Sequence, residues 1–169
     1  ACLNLYRRGN LRIEMVKRVK VEVHPTGFKL GSRQASDAYG ARTSIPYWVM
    51  ATLSTGRADI SVLNRPSSDQ LWSTQVQSLV ELSAVESMGP DSARVTCETL
   101  DGRAVDSFVL HALGSKARPM TESDIRSKFA GLCDDVVGRD RTEALLAACW
   151  GVDRLSDASV LVPDVRRSI

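Results

Sequence analysis

The chain has 169 residues, 43% hydrophobic and 25% charged, the balance of an ordinary globular domain. Its 22 basic and 20 acidic side chains leave a net charge of +2, too even to point to nucleic acid or to an anionic membrane surface. No apolar run approaches the ~20 residues of a membrane span, and no segment has the layout of a signal peptide.

The chain opens at Ala1, not at Met, inside a stretch that reads as helix, so a fragment or a processed piece is expected. Basic residues then cluster at Arg7, Arg8, Arg12, Lys17, Arg18 and Lys20. Without interleaved aromatics they read as a helix end and a solvated strand face, in preference to a nucleic-acid surface. Met15–Val23 alternates, with Val19, Val21 and Val23 on one side and Arg18, Lys20 and Glu22 on the other. A period of two in β-branched residues predicts a half-buried strand, which His24–Pro25 ends. Residues 25–42 carry three glycines and no clean period, and are expected to form a long loop bordering a functional surface.

Ser44–Leu53 reads as a helix with Pro46 in its first turn and Ile45, Val49, Thr52 and Leu53 on one side. Ser67 to about Val80 reads as a second amphipathic helix. Strand-like runs follow at Leu79–Val85, Ala93–Leu100 and Ala104–Ala112, and Asp101–Gly102 predicts a two-residue hairpin turn. Two further helices close the chain, Thr121–Val137 and Arg141–Trp150. Thr121 and Asp124 form an Asp variant of the capping box, and Gly138 is the stop. The sum predicts a single α+β domain over 1–169: a small antiparallel sheet with helices packed on one side.

The cysteines, Cys2, Cys97, Cys133 and Cys149, contain no CxxC pair, and only two histidines are present as co-ligands. No zinc site or other cofactor is therefore expected, and the four read as reduced thiols of a cytoplasmic protein. No nucleophile–base pair and no phosphate loop stands out either.

Several segments together resemble the MmgE/PrpD family at its carboxy-terminal end. A Pro-Met-Thr entry (Pro119, Met120, Thr121), the Lys128–Phe129 pair and a closing Trp150, Asp153 and Leu155 are similar to that family's last helices. Ser44, Tyr47, Val49, Leu53, Gly56 and Arg57 resemble its Ser-x-x-Tyr-x-Val-Ala helix and Leu-x-x-Gly-Arg turn, and Asp101–Gly102 its hairpin. The family includes 2-methylcitrate dehydratase, cis-aconitate decarboxylase and iminodisuccinate epimerase. The resemblance implies the smaller lid domain of a two-domain enzyme, whose helical first domain supplies most polar active-site groups. It also implies a small di- or tricarboxylate substrate, proton abstraction next to a carboxylate, and a homodimer.

The site residues expected in this chain bind substrate and do not perform the chemistry. Arg42, just before the Ser44 helix, can clamp a carboxylate, and Tyr47 can donate to one. The resemblance places a tyrosine near Phe28, where the hydroxyl is absent unless Tyr39 replaces it. For proton transfer the chain offers His24 and Tyr47, with His111 after them; His24 borders the long loop. The competing reading is a non-catalytic binding or dimerisation module.

Overall fold

The computed structural model describes residues 1–8, 10–35, 37–64 and 77–161. The chain divides into two compact units, Ala1–Pro119 and Met120–Ile169.

The first unit is built on a four-stranded sheet: β1 (Val16–Val23), β2 (Val80–Ala84), β3 (Ala93–Thr99) and β4 (Ala104–Val109), in the order β2-β1-β3-β4. β1 pairs antiparallel with β3, Val21 opposite Val95, and β3 antiparallel with β4, Cys97 opposite Val105. β2 departs from the antiparallel expectation. It lies parallel to β1, Val21 opposite Leu82, so the sheet is mixed. The reason is the connection: a parallel neighbour needs a crossover of a dozen residues or more, and the long segment between β1 and β2 provides one.

That segment also corrects the loop expected at residues 25–42. It holds α2 (Pro25–Gly31) and α3 (Ala38–Ala41), following α1 (Cys2–Arg8) and preceding α4 (Ile45–Thr55). Local capping, which hydrophobic periodicity does not register, explains both short helices. His24 Nδ1 accepts from the Thr26 N–H at 3.1 Å with Pro25 at the first helical position, and Asp37 Oδ1 accepts from the Gly40 N–H at 2.7 Å. Gly31 is required where α2 meets α4, because a Cβ there would stand 2.6 Å from the Ile45 side chain. The helix expected at Ser67–Val80 lies outside the described residues as far as position 76, and Val80 itself opens β2.

The sheet's two faces divide as the alternation predicts. Val19, Val21, Val23, Val95 and Cys97 are buried with Leu5 of α1 and Val49, Met50 and Leu53 of α4. The opposite face is a lattice of exposed ion pairs: Lys17 and Arg18 with Glu98 (3.0 and 3.1 Å), Arg18 with Glu81 (3.4 Å), Lys20 with Glu22 (3.0 Å). Exposed pairs of this kind contribute ~0–1 kcal/mol each. They engage Lys17, Arg18 and Lys20 of the basic cluster, in keeping with the solvated strand face expected for those three.

The β3–β4 hairpin forms as expected, with a different turn. Gly102 alone has positive φ (84°), its N–H donates to Thr99 O at 3.0 Å, and the Thr99 N–H donates to Arg103 O at 2.9 Å. Leu100–Asp101–Gly102 is thus a three-residue loop, a turn followed by a left-handed glycine. The Thr99 hydroxyl donates to Asp101, which also pairs with Arg103 at 2.8 Å; the acidic turn residue is held from both sides.

The second unit holds α5 (Glu122–Val137) and α6 (Arg139–Trp150). α5 opens on the expected capping box: the Asp124 N–H donates to Thr121 Oγ1 at 3.2 Å, and the Thr121 N–H donates to Asp124 Oδ2 at 2.9 Å. Gly138, φ 81°, separates the helices. Thr142 and Leu146 are the buried residues of α6, whereas Ile125, Leu132 and Val136 on α5 and Trp150 and Val152 beyond it stay exposed.

Candidate functional site

One end of the sheet collects the polar candidates. Pairing of Val23 with Ala84 and Ala93, and of Ala93 with Val109, means that β1, β2 and β4 finish where β3 begins. His24 follows β1 there, Asp91 precedes β3, and His111 follows β4.

On the buried side of this end lies a cavity of about 430 Å³. Val21, Val23, Ala93 and Val95 form its floor, Ile45, Trp48, Val49 and Thr52 one wall, and Ala1, Cys2 and Leu3 another. The α4 wall is the i, i+3, i+4, i+7 stripe of one helix. Arg42 and Thr43 stand at its edge. Arg42 is exposed; its carbonyl accepts from Trp48 Nε1 at 3.3 Å, and among the described residues no hydrogen bond or ion pair engages its guanidinium. The arrangement is an apolar cleft with the Arg42 cation at its edge, suited to a small molecule with an apolar body and a carboxylate.

The other candidates lie elsewhere. Tyr47 is fully buried, its ring edge-on to Trp48 with centroids 5.5 Å apart, and burial raises its phenol above the ordinary range. Trp48, which the sequence reading passed over, is the aromatic that lines the cavity. Phe28 is exposed on α2 and Tyr39 is 86% exposed on α3, and neither is among the lining residues. His24 spends Nδ1 on capping α2. His111, ranked behind His24 on sequence, is the histidine held by a carboxylate, Nδ1 lying 3.0 Å from Asp91 Oδ2. No sequence signal could have paired residues 91 and 111; the β3–β4 register brings them together.

The remaining motif residues act structurally. Ser44 Oγ accepts from the Tyr47 N–H at 3.2 Å as the α4 cap, Leu53 is fully buried, and Gly56 ends the helix at φ 69°. Arg57 pairs with Asp59 through two hydrogen bonds of 2.9 and 3.2 Å. Burial pushes the Cys2 thiol up to about 11 and the Cys97 thiol to about 12, so neither is a nucleophile at neutral pH. Among the described residues no cluster of three His, Cys, Asp or Glu side chains could hold a metal ion, and no helix is long and apolar enough to cross a membrane.

An α+β domain with a mixed four-stranded sheet, a capped helix closing over it and an arginine-edged cleft is the class of protein these features define. Residues 1–152 match the MmgE/PrpD C-terminal domain, and the chain belongs to that family. Comparison with curated proteins finds no match.

Proposed function

We propose that this chain is the lid and pocket domain of an MmgE/PrpD-like enzyme acting on a small di- or tricarboxylate. The reaction begins with loss of a proton next to a carboxylate, and dehydration, decarboxylation and epimerisation all follow from that step. A base takes the α-proton while cationic or hydrogen-bonding groups hold the charge that develops on the enolate oxygen. The observation that carries the reading is Arg42, which among the described residues has no partner for its guanidinium and stands at the edge of an apolar cleft in a member of this family.

In this reading Arg42 clamps a substrate carboxylate, Trp48 contacts the carbon skeleton, Tyr47 backs Trp48 from beneath, and Phe28 lends its exposed edge on α2. A helical partner domain supplies the base. The exposed apolar side chains Ile125, Leu132, Val136, Trp150 and Val152 support such a partner, since an uncovered stripe of this kind marks an interaction surface. A homodimer and a cytoplasmic setting belong to the same proposal.

The test is Arg42→Ala in the protein carrying both domains, assayed on 2-methylcitrate, cis-aconitate and iminodisuccinate. A charged hydrogen bond is worth ~1.5–3 kcal/mol, so kcat/KM should fall by roughly 10- to 150-fold on the substrate that is turned over. Unchanged kinetics would remove Arg42 from the site. Absence of turnover on any such carboxylate would favour the non-catalytic module.

A further inference from the structure

A second polar cluster stands at the same end of the sheet and shares no lining residue with the Arg42 cleft. His111 lies against Asp91 through Nδ1 at 3.0 Å, and the Ala112 N–H donates to Asp91 O at 2.9 Å, so side chain and backbone tie the segment after β4 to the one that leads into β3. Asp91 is held below the ordinary carboxylate range, first by His111 and then by Ser115. The Ser115 hydroxyl is buried yet makes no hydrogen bond of good geometry among the described residues. Asp91, His111, Ser115 and Lys116, with Pro90 and Ala117, line an open cavity of about 550 Å³. Lys116 is exposed and, among the described residues, joins no ion pair.

We propose that this cavity binds a small oxyanion, a carboxylate or phosphate group, between the Lys116 ammonium and His111 Nε2, with the Ser115 hydroxyl as third donor. The asymmetry of the imidazole carries the argument. Asp91 accepts the Nδ1 proton, which fixes the tautomer and leaves Nε2 as the nitrogen for a ligand, as a carboxylate behind a histidine does in built sites. To donate to an oxyanion, Nε2 must hold a proton, so a neutral His111 takes one from solvent as the ligand binds. The negative Asp91 then offsets the imidazolium from behind. Lys116 adds a charge-assisted contact on the ligand side. The Ser115 hydroxyl is withdrawn from water and turned to Asp91 without a hydrogen bond of good geometry, so it can turn to a ligand oxygen instead.

The chain contains only two histidines, so ring signals report the site without labelling. Succinate and inorganic phosphate are titrated separately into the chain at about pH 6, with the ring protons followed by NMR. His111 should shift saturably with a Kd of about 10 mM or tighter, while His24 serves as the internal control. Lys116→Ala should weaken binding about two- to fivefold, the loss expected for a charge-assisted contact at an open site. Ser115→Ala should weaken it about twofold, with the hairpin amide signals unmoved as the check on folding. A response to both probes defines a general oxyanion site; a response to one alone defines a carboxylate or a phosphate site. No saturable shift with either probe, an equal shift at His24, or unchanged binding in Lys116→Ala would overturn the proposal. Because no residue is shared, that result would leave the Arg42 reading standing.

Discussion

Gly56 is where the cost of a single side chain is easiest to count. It ends α4 in the left-handed region at φ 69°, and a Cβ there would sit 2.3 Å from the Tyr6 ring. That ring is in turn covered by the Arg12 guanidinium, 3.7 Å from its centroid. Gly56→Ala meets both backbone strain and overpacking, so stability in urea should fall by roughly 2–4 kcal/mol. A loss under ~1 kcal/mol would mean that Tyr6 swings aside freely. Gln77 acts by a different mechanism. Its amide takes both backbone groups of Ala35, N–H to Oε1 and Nε2 to O, each at 2.8 Å, and it is 1% exposed. Gln77→Leu keeps the volume but leaves two buried backbone groups without these partners, and should cost roughly 2 kcal/mol or more. Equal urea midpoints for the two proteins would show that water replaces the amide at no cost.

At the level of elements, ends matter more than interiors. α5 has a reciprocal capping box, yet the described part of its unit buries few side chains, so its helicity depends heavily on local terms. Thr121→Ala should cost about 1 kcal/mol and speed amide exchange at Asp124 and Ile125 more than in the sheet. Uniform acceleration across both units would argue that α5 is held by packing instead. In the β3–β4 hairpin, Gly102 is in open space at φ 84°, so Gly102→Ala strains the backbone without a clash and should cost about 1 kcal/mol. The contrast with Gly56 separates conformational strain from steric crowding at two left-handed glycines of one fold.

For the whole molecule, the carboxylates set the response to acid. Glu98 is held below its ordinary range by Lys17 and then Arg18, Asp101 by Thr99 and then Arg103, and Asp91 by His111. At Asp59 burial pulls upward, but hydrogen bonds from Arg57 and Ser61 more than offset it. Each folded-state value lies below that of the unfolded chain. Each group therefore stabilises the fold above the unfolded value, near pH 4, and that contribution is lost as pH falls through the depressed folded value. The urea midpoint should be flat from about pH 7 to 5 and decline below about pH 4, with Asp101→Asn declining less steeply. A decline that begins near pH 6 would mean that these carboxylates do not set it. The chain by itself should show no turnover on the three carboxylates named above, since none of its described residues forms a nucleophile with an oriented base. A rate that survives repurification and vanishes on mutating a residue of this chain would contradict the lid reading.

What the sequence determined by itself is local. Alternation at Met15–Val23 specified a strand and its buried face, the Asp101–Gly102 dipeptide a hairpin, Thr121 with Asp124 a capped helix, and the Ser44 segment a helix with its apolar side inward. Each signal is carried by residues within four positions of one another, and each survives in the fold. The quoted motifs also sufficed for the family, which the match over residues 1–152 shows. The tertiary structure decided whatever rests on distant pairs. β2 runs parallel to β1, which depends on the path of the chain between them and not on the composition of either strand. α2 and α3 replace an expected loop because caps at His24 and Asp37 outweigh a missing period. Tyr47 faces the core, and Trp48, one position and about 100° further round the helix, faces the cleft. Asp91 meets His111 only through strand register. A sequence read in windows registers turns, caps and faces, because these are short-range; which faces meet is settled by pairing of the strands and packing of the core.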